Sequence, residues 1–362
     1  MKLNPKLKIK LNKLIFLITA WLFIGLVLSV YDHVTILSNY SLGFSEHYSF
    51  LLNVGFNIAA AFIGSTLGGL FLIFYMEEKA RYMSYGKAMI MVAVVYVTIV
   101  SFITVVLGAV FVPAQMGQSL FSTAGQEAYL AYLTNPVHTK NILIWSIIVA
   151  LTQLTIQIDN KFGRGILLNF IKGKYKIPRT EVRIFMFADI KSSTTLAEKL
   201  GNEQYHKLLK DFFNDITNAV IYNEGEIYQY VGDEVVISWP LETGLKDQHC
   251  IQCFKYMKRK IKKEANRYMQ TYGVVPDFKA GVHFGEVIAG EIGVIKRDIT
   301  YSGDVLNTTA RIQGICNNLN VDFLISEDLV KQFNPQSKYS FRSLGDVELK
   351  GKQEKVAVCT FK

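Results

Sequence analysis

Residues 183–194 read RIFMFADIKSST, and the organisation of the second half of the chain turns on them. Arg183-Ile184-Phe185-Met186-Phe187-Ala188 is an apolar run of strand length that ends at Asp189. Ile190-Lys191-Ser192-Ser193-Thr194 then opens a helix, with Ser and Thr as the expected caps. A carboxylate at a strand end, followed at once by a helix start, suits a metal–phosphate ligand. The carboxylate holds the divalent ion, and the unsatisfied amides around Ser193 and Thr194 donate to phosphate oxygens. Taken alone, the same pattern is also that of a capped helix.

A second carboxylate follows downstream. Ile227-Tyr228-Gln229-Tyr230-Val231 alternates as a strand, Gly232-Asp233-Glu234 is a tight turn, and Val235-Val236-Ile237-Ser238-Trp239 runs back. This is a hairpin with Asp233 at its tip. If it lies beside the first strand, Asp189 and Asp233 share two divalent ions. Two metals held by two carboxylates suit displacement at phosphorus.

A third segment reads Lys279-Ala280-Gly281-Val282-His283-Phe284-Gly285-Glu286-Val287, followed by Thr300-Tyr301-Ser302-Gly303-Asp304-Val305-Leu306-Asn307-Thr308-Thr309-Ala310-Arg311. Asn307 and Arg311 are four apart, so a helix projects them from one face. An amide beside a guanidinium orients a sugar and binds a charged phosphoryl group. Leu349-Lys350-Gly351-Lys352 places cations at a strand end.

The strings FADIKSST, YVGDEVV, GVHFGEV, YSGDVLNTTAR and LKGK, in that order, resemble the catalytic domain of the class III nucleotidyl cyclases, over about residues 180–362. The resemblance implies an α+β domain with a ferredoxin-like βαββαβ core. It implies Asp189 and Asp233 as the metal-binding aspartates of two Mg²⁺ or Mn²⁺ ions, with the Ile190 backbone carbonyl assisting. It gives Asn307 the task of orienting the ribose, Arg311 that of stabilising the transition state, and Lys350 that of holding the terminal phosphates. Lys279 falls where many members carry a phosphate-binding Arg, which keeps the charge but not the bidentate fork. In this family the aspartates come from one subunit and the Asn/Arg pair from the other. A chain with both sets implies a homodimer with two equivalent sites.

The purine-selecting pair departs from the family's adenylate pattern. Gln229 stands where adenylyl cyclases often carry Lys, and its partner position is Thr300, which bacterial adenylyl cyclases also use. Guanine-selective members usually place Glu at the first position, to accept from N1–H and N2–H₂, and a neutral Gln lacks that charge. The expected substrate is therefore ATP, with guanylate cyclase as the alternative. A catalytically silent nucleotide-binding regulator is the other alternative, which complete Asp189, Asp233, Asn307 and Arg311 argue against.

Two further motifs have plainer readings. Cys250-x-x-Cys253, after His249, resembles half a zinc site or a redox pair. With no second pair, both cysteines read as helix-face residues. Lys255, Lys258, Arg259, Lys260, Lys262, Lys263 and Arg267 could suggest nucleic acid, but no stacking aromatic platform accompanies them and Glu264 interrupts them. They read as a solvated helix face, and no nucleic-acid partner is expected.

Ahead of this polar half lies an apolar one. Residues 1–158 carry nine Lys/Arg and five Asp/Glu, against 30 and 25 in residues 159–362. Apolar runs at about Leu14–Val30, Phe50–Tyr75, Ala88–Val112 and Asn141–Ile158 contain no Asp, Glu, Lys or Arg and are long enough to cross a ~30 Å hydrocarbon layer. Basic residues alternate along the connections. The N-terminal tail has Lys2, Lys6, Lys8, Lys10 and Lys13, residues 31–49 none, the second loop Lys79, Arg81 and Lys87, and residues 113–140 only Lys140. Lys161, Arg164, Lys172, Lys174 and Lys176 then follow the last run. This pattern gives four spans with both termini in the cytoplasm, in the plasma (inner) membrane. A cleaved leader is the competing reading of residues 1–30, but no small-x-small site follows Val30. The patch Gly64-Ser65-Thr66-Leu67-Gly68-Gly69 reads as packing within one bundle. His33, His47 and His138 read as unrelated surface residues, with a metal or haem site as the alternative, and the membrane domain leaves room for an unidentified ligand as a partner.

The net charge is +9 and half the residues are apolar, which excludes a disordered chain. Four cysteines exclude a disulfide scaffold. The expected architecture is a four-span α-helical transmembrane bundle over residues 1–158, a juxtamembrane linker over 159–182 and a cyclase domain over 183–362. The linker alternates basic and apolar residues and suits an anionic inner leaflet.

Overall fold

The computed structural model describes residues 5–38, 49–79, 83–135, 137–162, 173–295, 297–334, 339–349 and 355–361. They form two compact units, Met1–Ile158 and Asp159–Lys362.

The first unit is helical. Helix α1 spans Pro5–Ser38. Helix α2 spans Phe50–Leu70 and runs on through a π-helical turn, Phe71–Met76, to Glu77–Lys79. Helices α3 (Tyr85–Gln115), α4 (Thr123–Leu133) and α5 (Val137–Phe162) complete it. Three stretches are long and apolar enough to cross a membrane, Leu7–Ser38, Phe50–Met76 and Gly86–Pro113. The fourth expected run lies on α5, where the apolar stretch Asn141–Gln157 is shorter. Helix α4 occupies what the sequence suggests is a plain loop. Its N-cap is Ser122, whose Oγ accepts from the Gly125 amide at 3.1 Å.

Large side chains fill the middle of the bundle. Trp21 of α1 lies 5.4 Å from Trp145 and 6.1 Å from Tyr96, ring centre to ring centre, and its Nε1 donates to Thr152 Oγ1 at 3.1 Å. The small-residue patch lets these rings in. A Cβ at Gly68 would lie 2.4 Å from Tyr96 Oη, and one at Gly69 2.6 Å from Leu14 Cδ1. The patch packs helices of one bundle, as the sequence suggests. Outward apolar side chains such as Phe16, Phe23, Ile90 and Ile147 are exposed. His33 packs on Phe50. His47 lies outside the described residues, as does the side chain of His138.

The second unit opens with β1 (Arg179–Ile190), then α6 (Ser193–Tyr222), β2 (Glu226–Val231) and β3 (Glu234–Pro240). Helices α7 (Leu241–Leu245), α8 (His249–Lys263) and α9 (Ala265–Tyr272) lead to β4 (Phe278–Ile292) and β5 (Asp298–Ser302). Helix α10 (Asp304–Gly314), β6 (Phe323–Ser326), α11 (Glu327–Lys331), β7 (Phe341–Val347) and β8 (Val356–Phe361) follow. The sheet order is β2-β3-β1-β4-β6-β8-β7, with β5 paired to β4 off this path. Its first four strands are antiparallel and arise from a βαββαβ run, the ferredoxin-like core expected. Among the described residues, only β4–β6 is parallel.

Alternation along β1 decides what each face of the sheet covers. Ile184, Met186, Ala188 and Ile190 join the main core with Leu208, Phe212 and Ile216 of α6 and Cys253 and Met257 of α8. Phe185 and Phe187 point the other way and pack with Val236, Val287 and Val305, the last on α10. Asp189 shares the second face.

The two distractor motifs are structural. Cys250 and Cys253 are free thiols buried in the main core, and burial pushes Cys250 up to about 12, too high for a thiolate ligand at neutral pH. The basic cluster is less solvated than its sequence suggests, because acids distant in sequence pair with it. Lys258 pairs with Asp277 and Asp322, Lys260 with Glu264 and Asp215, and Arg267 with Asp211, Asp215 and Glu264.

Candidate active site

The β1–β3 and β1–β4 registers set Asp189 opposite Glu234 on one side and Lys279 on the other. Asp233 sits in the two-residue turn between β2 and β3, where Gly232 takes φ +62°. A left-handed residue there lets the hairpin reverse without splaying its strands. Because β3 adjoins β1, the turn brings Asp233 against the end of β1, and the two aspartates meet.

Their charges are poorly compensated. Asp189 is pushed up to about 6, first by burial and then by Asp233, against the opposing pull of Gln313 and Lys279. Glu234 is pushed up to about 7 by burial and by both aspartates. Lys279 Nζ lies 3.8 Å from Asp189 Oδ2, and Gln313 Nε2 donates to the same oxygen at 3.0 Å. A half-buried carboxyl that holds its proton unusually tightly beside a second carboxylate, as Asp189 does, is what a hard divalent cation would relieve, so the pair fits Mg²⁺ or Mn²⁺. Among the described residues, no group of three or more His, Cys, Asp or Glu side chains is placed to hold a metal.

The strand end that carries Asp189 is pinned from below. The Lys191 amide donates to the Asp277 carbonyl at 2.9 Å. The Lys191 ammonium pairs with Asp277 at 2.9 Å and also with Asp322. Lys258 reaches the same two acids. Ser192, expected as a cap, takes a left-handed backbone (φ 54°) and makes no capping hydrogen bond. Ser193 and Thr194 occupy the first turn of α6. Tyr205, further along α6, interacts with Ser193 and is pushed above the usual phenol value, by burial first and then by Asp233.

Asn307 and Arg311 do share one face of α10, as their spacing predicts. That face is not the one the helix buries. The buried face of α10 carries Val305, Thr308, Thr309, Ile312 and Gln313, and among the described residues neither Asn307 nor Arg311 hydrogen-bonds to Asp189 or Asp233. Gln229 is exposed on β2, and no hydrogen bond joins it to Thr300 on β5. Their neighbours do meet. Tyr228 and Tyr301 pack at 5.0 Å, and the Tyr301 amide donates to Tyr228 Oη at 3.3 Å. Thr300 Oγ1 is buried without a partner. Lys350 lies outside the described residues.

Sequence reading missed Glu234, Gln313 and Tyr205. For Glu234 a signal existed, since it directly follows the turn aspartate. Gln313 reaches Asp189 from 124 positions away, and no local pattern reports such a contact.

Residues 175–361 match the family described as the adenylate and guanylate cyclase catalytic domain. Adenylate cyclase 2 of Rhizobium meliloti (strain 1021) is 36% identical over 219 residues, which are 60% of this chain and 60% of that protein. Adenylate cyclase 1 of the same organism is 28% identical over 172 residues, 46% of this chain and 25% of that protein. A solved bacterial light-regulated adenylyl cyclase shares the fold, with a TM-score of 0.52 and 23% identity over 60% of this chain and 64% of that one. The chain thus spans three fifths of the first of these relatives and a quarter of the second.

Proposed function

The chain belongs to the adenylate and guanylate cyclase catalytic-domain family, and on that premise we propose that it is a membrane-anchored adenylate cyclase. It converts ATP to 3′,5′-cyclic AMP and pyrophosphate at a homodimer seam. The observation that carries the reading is the meeting of Asp189 and Asp233 at adjoining strand ends, while Asn307 and Arg311 face away on α10. One chain then holds the metal half of one pocket and the ribose–phosphate half of another. The names of the two Rhizobium relatives, together with neutral Gln229, support ATP over GTP.

Asp189, Asp233 and the Ile190 carbonyl would hold two divalent ions, which supply charge neutralisation and a more nucleophilic 3′-oxygen. Asn307 of the other protomer orients the ribose, so that its 3′-OH lies in line with the α-phosphorus. The 3′-oxygen bonds to that phosphorus as the bond to the β-phosphate oxygen breaks, and pyrophosphate leaves with the electron pair. Arg311 offsets the charge that gathers on the α-phosphoryl oxygens. Lys279 and Lys350 bind phosphate, with the Ser193 and Thr194 amides. The 3′ proton passes to substrate or solvent. Gln229 and Thr300 read the purine edge.

Four spans anchor the enzyme in the plasma membrane, both termini are cytoplasmic, and residues 159–182 join bundle to catalytic domain. The short apolar stretch of α5 is the fourth span, and the exposed apolar faces of α1, α3 and α5 support a lipid surround.

Product analysis tests the reading. The full chain is incubated with ATP or GTP and Mg²⁺ or Mn²⁺, beside Asp233→Ala. Cyclic AMP from the wild type and none from the variant is expected. Cyclic GMP as the main product would assign the guanylate alternative, and no product from either nucleotide would make the domain a silent regulator.

A further inference from the structure

Gln313 is only 6% exposed, on the inner face of α10, and its amide donates to Asp189. A buried amide needs a partner, and here the partner is one of the two aspartates. Helical geometry makes the placement definite. At about 100° per residue, Gln313 lies about 200° around the helix from Arg311 and about 240° from Asn307, on the opposite face. Gly281 of β4 lets that face come close. A Cβ there would lie 2.4 Å from the Gln313 backbone nitrogen and 2.7 Å from its Cα. Gly281 pairs with Phe187, two residues before Asp189, so the close approach falls where the amide can reach the carboxylate. Gln313 and Lys279 both address Oδ2, so two groups from different elements hold the same edge of the carboxylate that meets Asp233.

The geometry points to Gln313 as a positioning residue of the metal site, which fixes the orientation of the Asp189 carboxylate that would hold the divalent ion. This rests on the cyclase reading of the aspartate pair. Asn307 and Arg311 leave the opposite face of the same helix, so each α10 serves two pockets. It orients a metal ligand of its own chain and offers the ribose and phosphate contacts to its partner's site.

Donors that orient a metal ligand typically change metal affinity about 10–100-fold. The test is Mn²⁺ binding to the full chain in detergent without nucleotide, read from the loss of the free-Mn²⁺ paramagnetic resonance signal, with the melting temperature measured on the same samples. Gln313→Met keeps the volume and removes the donor. It is expected to weaken Mn²⁺ binding about tenfold or more with little change in melting temperature. Should Gln313→Met not fold, Gln313→Asn keeps the amide, shortens its reach by one methylene and carries the same expectation. Wild-type affinity in these variants, with Asp189→Asn losing the ion, would overturn the role of Gln313 and leave the metal pair standing. Wild-type affinity in Asp189→Asn would overturn the metal pair itself, and the role of Gln313 with it.

Discussion

Lys279 stands directly across from Asp189 in the β1–β4 register, with its ammonium 3.8 Å from Asp189 Oδ2. Lys279 counters Asp189 and Glu234, while Asp233 raises both of them, and the imbalance makes stability depend on pH. Asp189 and Glu234 rise to about 6 and about 7 in the folded protein. Between about pH 4 and pH 7 the folded state therefore holds protons that the unfolded chain has released, and stability falls as pH rises through that window. The metal-free full chain is expected to lose melting temperature from pH 5 to pH 8 more steeply than Glu234→Gln does. Added Mn²⁺ raises the melting temperature more at pH 8 than at pH 5, since at low pH the ion competes with protons. Equal pH slopes in wild type and variant would contradict this account.

Arg183 gives a test of buried charge away from the metal. It is 2% exposed, its Nη1 donates to Glu181 at 2.9 Å, its Nη2 donates to Ser238 Oγ at 3.0 Å and pairs with Glu226, and its guanidinium lies 4.8 Å from the centre of the Tyr301 ring. Replacing Glu181 and Glu226 together by Gln leaves the guanidinium buried without a counter-charge, which costs about 3 kcal/mol. Arg183→Met leaves two glutamates that are 20% and 55% exposed and can return to water, so it costs less, about 1 kcal/mol. Denaturant melts of the three proteins should rank in that order.

The halves of the site differed in how far the sequence exposed them. Asp189 and Asp233 were legible because each ends or turns an apolar, alternating segment, and burial demands that pattern locally. The βαββαβ order was expected from the resemblance to the cyclase family. Partners from distant segments were not: Gln313 for Asp189, Asp277 and Asp322 for Lys191 and Lys258, Asp211 and Asp215 for Arg267. Their spacing in sequence carries no period, and only the sheet order brings them together. Ser192 shows the other limit. A Ser before a helix predicts a cap, but here the chain must turn sharply from the strand end, and a left-handed backbone at Ser192 makes the turn instead.

Gly281 offers a packing test. The Cβ of an alanine there would press on the backbone of Gln313 rather than on a side chain that can move aside. Overpacking of this kind costs typically about 1–3 kcal/mol. Gly281→Ala is expected to lower the melting temperature and, by lifting α10 from β4, to weaken Mn²⁺ binding as well. Gly314 ends the same helix with nothing within 4 Å of its Cβ position, so Gly314→Ala should change neither.

In the first unit, the corresponding site is Gly68. Any Cβ there overlaps the Tyr96 ring, with Oη at 2.4 Å and Cζ at 2.6 Å. Gly68→Val separates α2 from α3, whereas Gly86→Val meets nothing within 4 Å. Limited proteolysis of the full chain in detergent should cut the first unit faster in Gly68→Val than in Gly86→Val. Equal rates would mean that the small-residue patch does not set this packing.

The shared pocket makes the sharpest prediction. On the proposed mechanism, Asp233→Ala removes a metal ligand and Arg311→Ala the guanidinium, so each proposed homodimer is expected to lose nearly all activity. A dimer of one Asp233→Ala chain with one Arg311→Ala chain has one pocket with both defects and one with neither. Random mixing in equal amounts makes about half the dimers mixed, each with one intact pocket of two, so about a quarter of wild-type activity returns. Mixing must precede dimer formation, by co-expression with two different affinity tags. If instead each chain built its whole pocket alone, every pocket in the mixture would carry one defect and no activity would return. Activity near a quarter therefore requires that Asp233 and Arg311 act from different chains, as the proposed shared pocket has it.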